Sequence, residues 1–189
     1  MTSAQQADEL LPADPEECAQ IARAIALRRL AAAPRSVWEI EQALTDRGIS
    51  VEVSGAVIER FLEVGLLDDE AFARAWVASR SGSRGLARAR LRRELQAKGV
   101  DDGVIERAIA QVDDEAEFTR AMALAAQRMR VLQGSRFGVH EEGDESVEAR
   151  DRAMLRRAGL HRRLSAYLMR RGYPAATAMQ VSRAVVEAG

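Results

Sequence analysis

One pattern of apolar and basic positions recurs along the chain. Leu95-Gln-Ala-Lys98-Gly99-Val100 has counterparts upstream at Leu44-Thr-Asp-Arg47-Gly48-Ile49 and downstream at Leu168-Met-Arg-Arg171-Gly172-Tyr173. In each copy an apolar residue three positions before a basic one places both near one helical face. The basic residue suits the negative end of the helix dipole, and the glycine supplies the left-handed residue that ends a helix. The flanks repeat as well. An apolar residue, a spacer and Arg-Ala precede each copy, at Ile21-Ala-Arg23-Ala-Ile25, Phe72-Ala-Arg74-Ala-Trp76 and Phe118-Thr-Arg120-Ala-Met122. An apolar residue, a spacer and a second arginine follow, at Ile58-Glu-Arg60, Ile105-Glu-Arg107 and Val181-Ser-Arg183. The same order three times predicts an all-α fold, an elongated tandem array of three three-helix repeats whose stacked neighbours bury faces that no single repeat can bury.

Capping and breaking residues place the helices. Asp14 as N-cap, Pro15 and Glu17 open a helix that runs to about Ala33 and is stopped by Pro34. Ser36 with Glu39 forms a capping box for a helix from Val37 to Arg47, and a third runs from about Gly55 to Val64, ending at Gly65. The second repeat starts at Asp68-Asp69. It should contain a helix to about Arg80, a break at Ser81-Gly82-Ser83, a helix from Leu86 to Lys98 and one from Asp102 to Val112. Asp114 with Glu117 reads as another capping pair, opening a helix to about Leu132; helix resumes near Val147, and the last begins at Ala175 after Pro174. The expected organisation is a disordered tail over 1–13 and repeats over 14–67, 68–112 and 113–189. The third repeat carries a mobile acidic insertion at about 133–146, where no helical face is present.

Composition narrows the picture. With 47% hydrophobic and 30% charged residues, the chain is that of a soluble globular protein. Aromatics are only 4%, so the core must come from small aliphatic contacts between helices, with Trp38, Trp76, Phe61, Phe72 and Phe118 as its few large pieces. The single cysteine, Cys18, excludes an internal disulfide and a cysteine cluster for zinc, and reads as a buried, inert thiol. No apolar run approaches the ~20 residues of a membrane span, and the first residues are not those of a signal peptide, so a cytoplasmic location is expected; a monomer is expected as well.

Chemistry for catalysis is sparse. His140 and His161 have no Cys or His neighbours at ligand spacing, so no metal or cofactor is expected. Ser81-Gly82-Ser83-Arg84-Gly85 follows a helix and lacks a Gly-Lys-Ser/Thr ending, which makes it an interhelix turn and not a phosphate loop. The pairs Asp68-Asp69 and Asp113-Asp114 sit at equivalent points of the repeat just before helices, where capping explains them. What remains is basic. The net charge of −1 hides a run from Arg74 to Lys98 with Glu94 as its only acid, and a similar run from Arg150 to Arg171. At 100° per residue Leu91 and Leu95 make a buried seam, leaving Arg90 and Arg93 opposite and Arg92 on the flank; Leu160, Leu164 and Leu168 do the same for Arg162, Arg163 and Arg170. A helix that is merely solvated mixes signs, so Arg84, Arg88, Arg90, Arg92, Arg93, Arg162, Arg163 and Arg170 are the candidate partner-binding or DNA-binding residues. Arg23, Arg74, Arg120, Arg60, Arg107 and Arg183 recur inside the packing pattern, so structural roles, through buried stems and local carboxylates, are expected for them.

Leu66-Leu67-Asp68-Asp69-Glu70-Ala71-Phe72-Ala73-Arg74-Ala75-Trp76, then Ser83-Arg84-Gly85, Leu91 and Glu94-Leu95-Gln96-Ala97-Lys98-Gly99-Val100, resembles the signature of the RecX regulatory proteins, modulators of the bacterial recombinase RecA. The similarity extends from about Cys18 to Val186. It implies an all-helical protein of three-helix repeats that lies in the groove of the RecA filament on DNA. Such a protein usually restrains ATP hydrolysis, strand exchange and coprotease activity and is not an enzyme. The family has no catalytic set to carry over, and its usual pattern is interrupted here at 134–148. A second reading starts from 36–67, which also resembles a winged-helix DNA-binding regulator. No wing follows, however, and Glu59 and Glu63 leave the candidate recognition helix without basic character.

Overall fold

A computed structural model describes residues 14–134 and 147–188. Among these residues the secondary structure is helical throughout. The elements are α1 (Pro15–Ala32), α2 (Val37–Thr45), α3 (Val51–Glu63), α4 (Asp69–Arg84), α5 (Arg88–Gln96), α6 (Asp102–Ile109), α7 (Asp114–Gly134), α8 (Val147–Arg170) and α9 (Ala175–Glu187). The expected tail and residues 135–146 of the expected insertion lie outside the described residues; Gln133 and Gly134 belong to α7 instead.

The three repeated pieces end their helices in the same way. Gly48, Gly99 and Gly172 have φ of 76°, 69° and 92°. In each copy the amide after the glycine donates back to the carbonyl of the repeat leucine: Ile49 to Leu44 (3.1 Å), Val100 to Leu95 (3.2 Å) and Tyr173 to Leu168 (3.2 Å). This is the six-to-one bond of a Schellman turn. Leu44, Leu95 and Leu168 are fully buried, and Ile49, Val100 and Tyr173 nearly so.

Caps explain most of the helix starts. Asp14 accepts from the Glu16 amide (3.1 Å) with Pro15 in the first turn, and Ser36 and Glu39 make the full capping box. Asp68 accepts from the Ala71 amide (2.9 Å) and Asp113 from the Ala116 amide (2.8 Å), so both aspartate pairs sit at helix starts as caps. Three expectations are corrected. Ser50 caps α3 through the Val53 amide (3.3 Å), so that helix starts four residues before Gly55. α4 continues through Ser81-Gly82-Ser83, with Ser83 Oγ bonded to the Ser79 carbonyl (2.6 Å), and the chain turns at Gly85 instead. Glu117 is not the capping partner of Asp114: it accepts from the Arg88 amide (2.8 Å) and so caps the start of α5 from a separate helix.

The chain divides into two compact units, with changeovers after Ala75, Glu94 and Ile105. In the first, α1, α2 and α3 pack pairwise around Ile25, Ile40, Leu44, Val57 and Phe61. Lys98 is tied in by a salt bridge to Glu39 (2.7 Å), and its carbonyl accepts from buried Ser36 (2.6 Å). Trp38 is 41% exposed rather than part of the core, and its ring lies against Gly99, where a Cβ would come within 2.3 Å of it. Cys18 is half-buried, not buried as expected. In the second unit α7, α8 and α9 pack around Ala121, Ala125, Leu164, Leu168 and Val181. Small residues dominate that core, as the low aromatic content requires; Phe118 and Tyr167 are partly buried against it.

Candidate functional site

The site lies in the second compact unit, where the end of α8 docks on the turn between α4 and α5. The Ala87 amide donates to the Arg171 carbonyl (2.9 Å), and the Tyr173 hydroxyl donates to the Gly85 carbonyl (3.3 Å). Gly172 allows the approach: a Cβ on it would lie 2.6 Å from the Arg90 amide nitrogen and 2.6 Å from the Arg90 Cβ. Burial raises the pKa of Tyr173, helped by the nearby Glu117 charge and opposed by the charges of Arg120 and Arg171 and by a side-chain hydrogen bond with Arg120.

Around this junction is a cavity of about 990 Å³. Arg84 enters from the end of α4, Arg90 from α5, Arg120 and Arg128 from α7, and Arg170 and Arg171 from the end of α8. Among the described residues Glu94 is the one acid in its wall, and its carboxylate already accepts from Arg90 (3.2 Å) and from the Trp76 indole (3.2 Å). Tyr167 carries guanidinium groups on its ring, Arg171 at 4.0 Å and Arg128 at 5.8 Å from the centroid, which positions charge without a carboxylate. Arg120 Nε and Nη2 and Arg171 Nε are shut off from solvent and have no hydrogen-bond partner among the described residues. A second cavity of about 710 Å³ follows along α7 and α8, lined by Arg128, Arg156, Arg162, Arg163 and Arg170. Arg128 and Arg170 line both cavities, so the two form one basic tract. Guanidinium groups gathered in this way suit the oxygens of a carboxylate or phosphate.

Two family models match the chain, that for the first three-helix domain of RecX over residues 22–61 and that for the second over 68–109. The regulatory protein RecX of Streptomyces coelicolor is 38% identical over 186 residues, covering 98% of this chain and 87% of its own. The chain belongs to the RecX family. The regulatory protein RecX of Thermobifida fusca is likewise 38% identical, over 93% of this chain and 84% of its own. The crystal structure of RecX from Lactobacillus salivarius matches with a TM-score of 0.68 over 90% of this chain and 97% of that one; at 15% identity it shows a shared fold. The RecX relatives are named regulatory proteins, and no helix among the described residues is long and apolar enough to cross a membrane.

Within this RecX-family chain the eight arginines singled out from sequence do not form one surface. Arg84, Arg90, Arg162, Arg163 and Arg170 line the tract. Arg88 is committed elsewhere: it pairs with Asp114 (2.5 Å) and its guanidinium also bonds the Val112 carbonyl. Arg92 makes a bidentate pair with Glu106, both bonds 2.8 Å, and these two bonds draw the Glu106 carboxyl below the ordinary carboxylate range. Arg93 is exposed but folds back onto the Ala89 carbonyl (3.1 Å). Helical facing could not reveal these losses, because Asp114 and Glu106 come from other helices.

Sequence reasoning also missed members of the tract. Arg128 and Arg156 carried no repeat signal, and Arg120 was assigned to structure. Of the other repeated arginines, Arg23, Arg60 and Arg74 do pair with Glu16 (2.8 Å), Glu63 (2.9 Å) and Glu70 (3.5 Å), though on exposed surface. Arg120 instead lines the cavity and is hydrogen-bonded to the side chain of Tyr173. His161 Nδ1 lies 3.4 Å from Ser182 Oγ, but that hydroxyl is shared with Ser165 (2.9 Å) and the Met179 carbonyl (3.0 Å), a helix-packing arrangement and not an activated nucleophile.

Proposed function

We propose that the protein binds the RecA recombinase filament on DNA and modulates it, mostly by inhibiting ATP hydrolysis, strand exchange and coprotease activity. It acts as a cytoplasmic monomer without catalytic chemistry of its own. The RecX membership over nearly the whole chain supports this choice of partner. The observation that carries the reading structurally is the acid-poor arginine tract, a surface suited to the acidic edges and phosphates of a nucleoprotein groove. Binding that spans neighbouring recombinase subunits resists the motions of ATP turnover or occupies the space that incoming DNA needs.

DNA-dependent ATP hydrolysis by the recombinase, measured with added protein on several unrelated DNA sequences, tests this. The expected result is inhibition well below one copy per recombinase subunit, independent of sequence and weakened by salt. No effect on the recombinase, together with tight binding to one duplex sequence, refutes it in favour of the winged-helix reading. The structure gives that alternative little support. α3 would be its recognition helix, yet it carries Glu52, Glu59 and Glu63, and its Arg60 is paired with Glu63.

A further inference from the structure

We infer that the exposed end of α2, from Thr45 to Ile49, is a docking site for the start of a helix in a partner protein, one opened by a hydroxyl N-cap with a carboxylate three residues on. The chain makes this junction twice within itself. In the first compact unit the Lys98 carbonyl accepts from the hydroxyl of Ser36, the N-cap of α2 (2.6 Å), and the Lys98 ammonium pairs with Glu39 (2.7 Å). Gly99 lies so near Trp38 there that a Cβ would come within 2.3 Å of its side chain. In the second unit the Arg171 carbonyl accepts from the amide of Ala87, just ahead of α5 (2.9 Å), and a Cβ on Gly172 would lie 2.6 Å from the Arg90 amide nitrogen. Both times the basic residue and glycine that end one helix seat on the first turn of another. The reason is shared: the last carbonyls of one helix and the first donors of the other lack intrahelical partners, and the negative end of one dipole meets the positive end of the other.

Arg47-Gly48-Ile49 is the third copy of that end. Its turn has the same form: the Gly48 amide donates to the Thr45 carbonyl (2.8 Å), as Gly99 does to Gln96 (3.0 Å) and Gly172 to Met169 (2.9 Å). Its surroundings differ. Arg47 is exposed where Lys98 and Arg171 are half-buried, Thr45, Asp46 and Gly48 are exposed with it, and Val51 beside them is 77% exposed. The two seated junctions define what fits. A hydroxyl N-cap satisfies the Arg47 carbonyl as Ser36 satisfies that of Lys98, a carboxylate three residues on meets the Arg47 guanidinium as Glu39 meets the Lys98 ammonium, and an apolar residue in the place of Trp38 covers Gly48 and Val51. A second copy of this chain does not offer such a start. Ser36 and Glu39 are engaged by Lys98, the start of α5 is engaged by Arg171, and α8 runs straight through Leu160, the corresponding place in the third repeat. The site is also separate from the arginine cavities, whose walls contain none of these residues.

The test uses the full chain labelled with nitrogen-15 and a probe peptide copying residues 33–47, which carries the Ser36 and Glu39 pair. A lactam from Glu41 to the lysine introduced by Thr45→Lys, both exposed positions of α2, holds the peptide helical. With peptide added to about 1 mM, amide shifts should be confined to Thr45–Val51 and should saturate. A peptide with Ser36→Ala and Glu39→Gln should bind about tenfold more weakly, since it lacks the cap hydrogen bond and the ion pair. The chain variant Arg47→Gln should bind the first peptide about threefold more weakly, and Arg28→Gln, on an exposed position of α1, should bind it like the unaltered protein. The amide spectrum itself shows that each variant is folded. No shifts at 45–51, or equal binding by the two peptides, overturns the inference. Shifts centred on 95–102 overturn it too, because the peptide would then be displacing α2 from Lys98. If the amides of 45–51 move when the free chain is diluted, a second copy occupies the end; if they move when residues 1–13 are removed, that segment does. Either result also overturns it.

Discussion

Gly172→Ala should be among the most damaging single-methyl changes in this protein. Two costs combine. At φ 92° an L-residue carries the left-handed penalty, about 1–2 kcal/mol, offset by about 0.4–1 kcal/mol because alanine narrows the unfolded ensemble. The new Cβ would also stand 2.6 Å from the Arg90 amide nitrogen and 3.1 Å from its Cα. Those are backbone atoms of a helix and have no rotamer by which to withdraw, so α5 and the end of α8 must separate, at about 1–3 kcal/mol for overpacking of this kind. The net loss is about 2–4 kcal/mol against a typical total of about 5–15 kcal/mol. Gly65→Ala is the matched control. Its φ is 70°, but nothing lies within 4 Å of the added methyl, so the loss should stay near 1 kcal/mol. Urea unfolding followed by far-ultraviolet circular dichroism measures both. With a slope of about 1–3 kcal/mol per molar, Gly172→Ala should lower the midpoint by roughly 1 M or more. If Gly172→Ala proves no more destabilising than Gly65→Ala, the close approach of α8 to α5 is wrong, and the cavity built on it loses its frame.

Asp69→Asn should stabilise the protein at neutral pH. Burial raises the pKa of this carboxyl; the Val37 amide, which donates to it at 2.9 Å, works against that, while the charges of Asp68 and Glu39 add to it. A carboxyl raised in the folded state costs stability while ionised. That cost is complete above its folded pKa and disappears as pH falls through the unfolded value near 3.8. Asparagine keeps the acceptor for Val37, so its advantage in the thermal midpoint should be present at pH 7 and gone near pH 3; an advantage that does not depend on pH refutes the assignment. Arg92→Gln should leave inhibition of recombinase ATP hydrolysis unchanged, since Arg92 is already spent on Glu106. A clear loss of inhibition would place the binding surface on the flank of α5 instead.

Local chemistry was legible in the sequence wherever it depends on neighbours along the chain. The Schellman turns at Gly48, Gly99 and Gly172, the Ser36 and Glu39 capping box and the aspartate caps are all contained within a few residues, so spacing alone specifies them. Burial of Leu91, Leu95, Leu164 and Leu168 follows from helical period in the same way. Failures came where local signals were weak or compensated. Ser81-Gly82-Ser83 reads as a break, but its serine hydroxyls bond back to carbonyls of the same helix and α4 runs through it.

The binding tract was only half legible, and the reason is physical. Charge and helical facing tell which arginines leave the core, but whether one is free depends on what another helix brings to it. Asp114 and Glu106 remove Arg88 and Arg92 from the surface charge, whereas Arg84, Arg162, Arg163 and Arg170 line the cavities. Gly99 and Gly172 make the same point. The sequence by itself determined that both end a helix in a left-handed turn, a matter of backbone torsion at one residue. Only the tertiary structure decided that Trp38 would cover one and α5 would close on the other, because those contacts join residues about sixty and eighty positions apart, and no local preference encodes which distant surfaces meet.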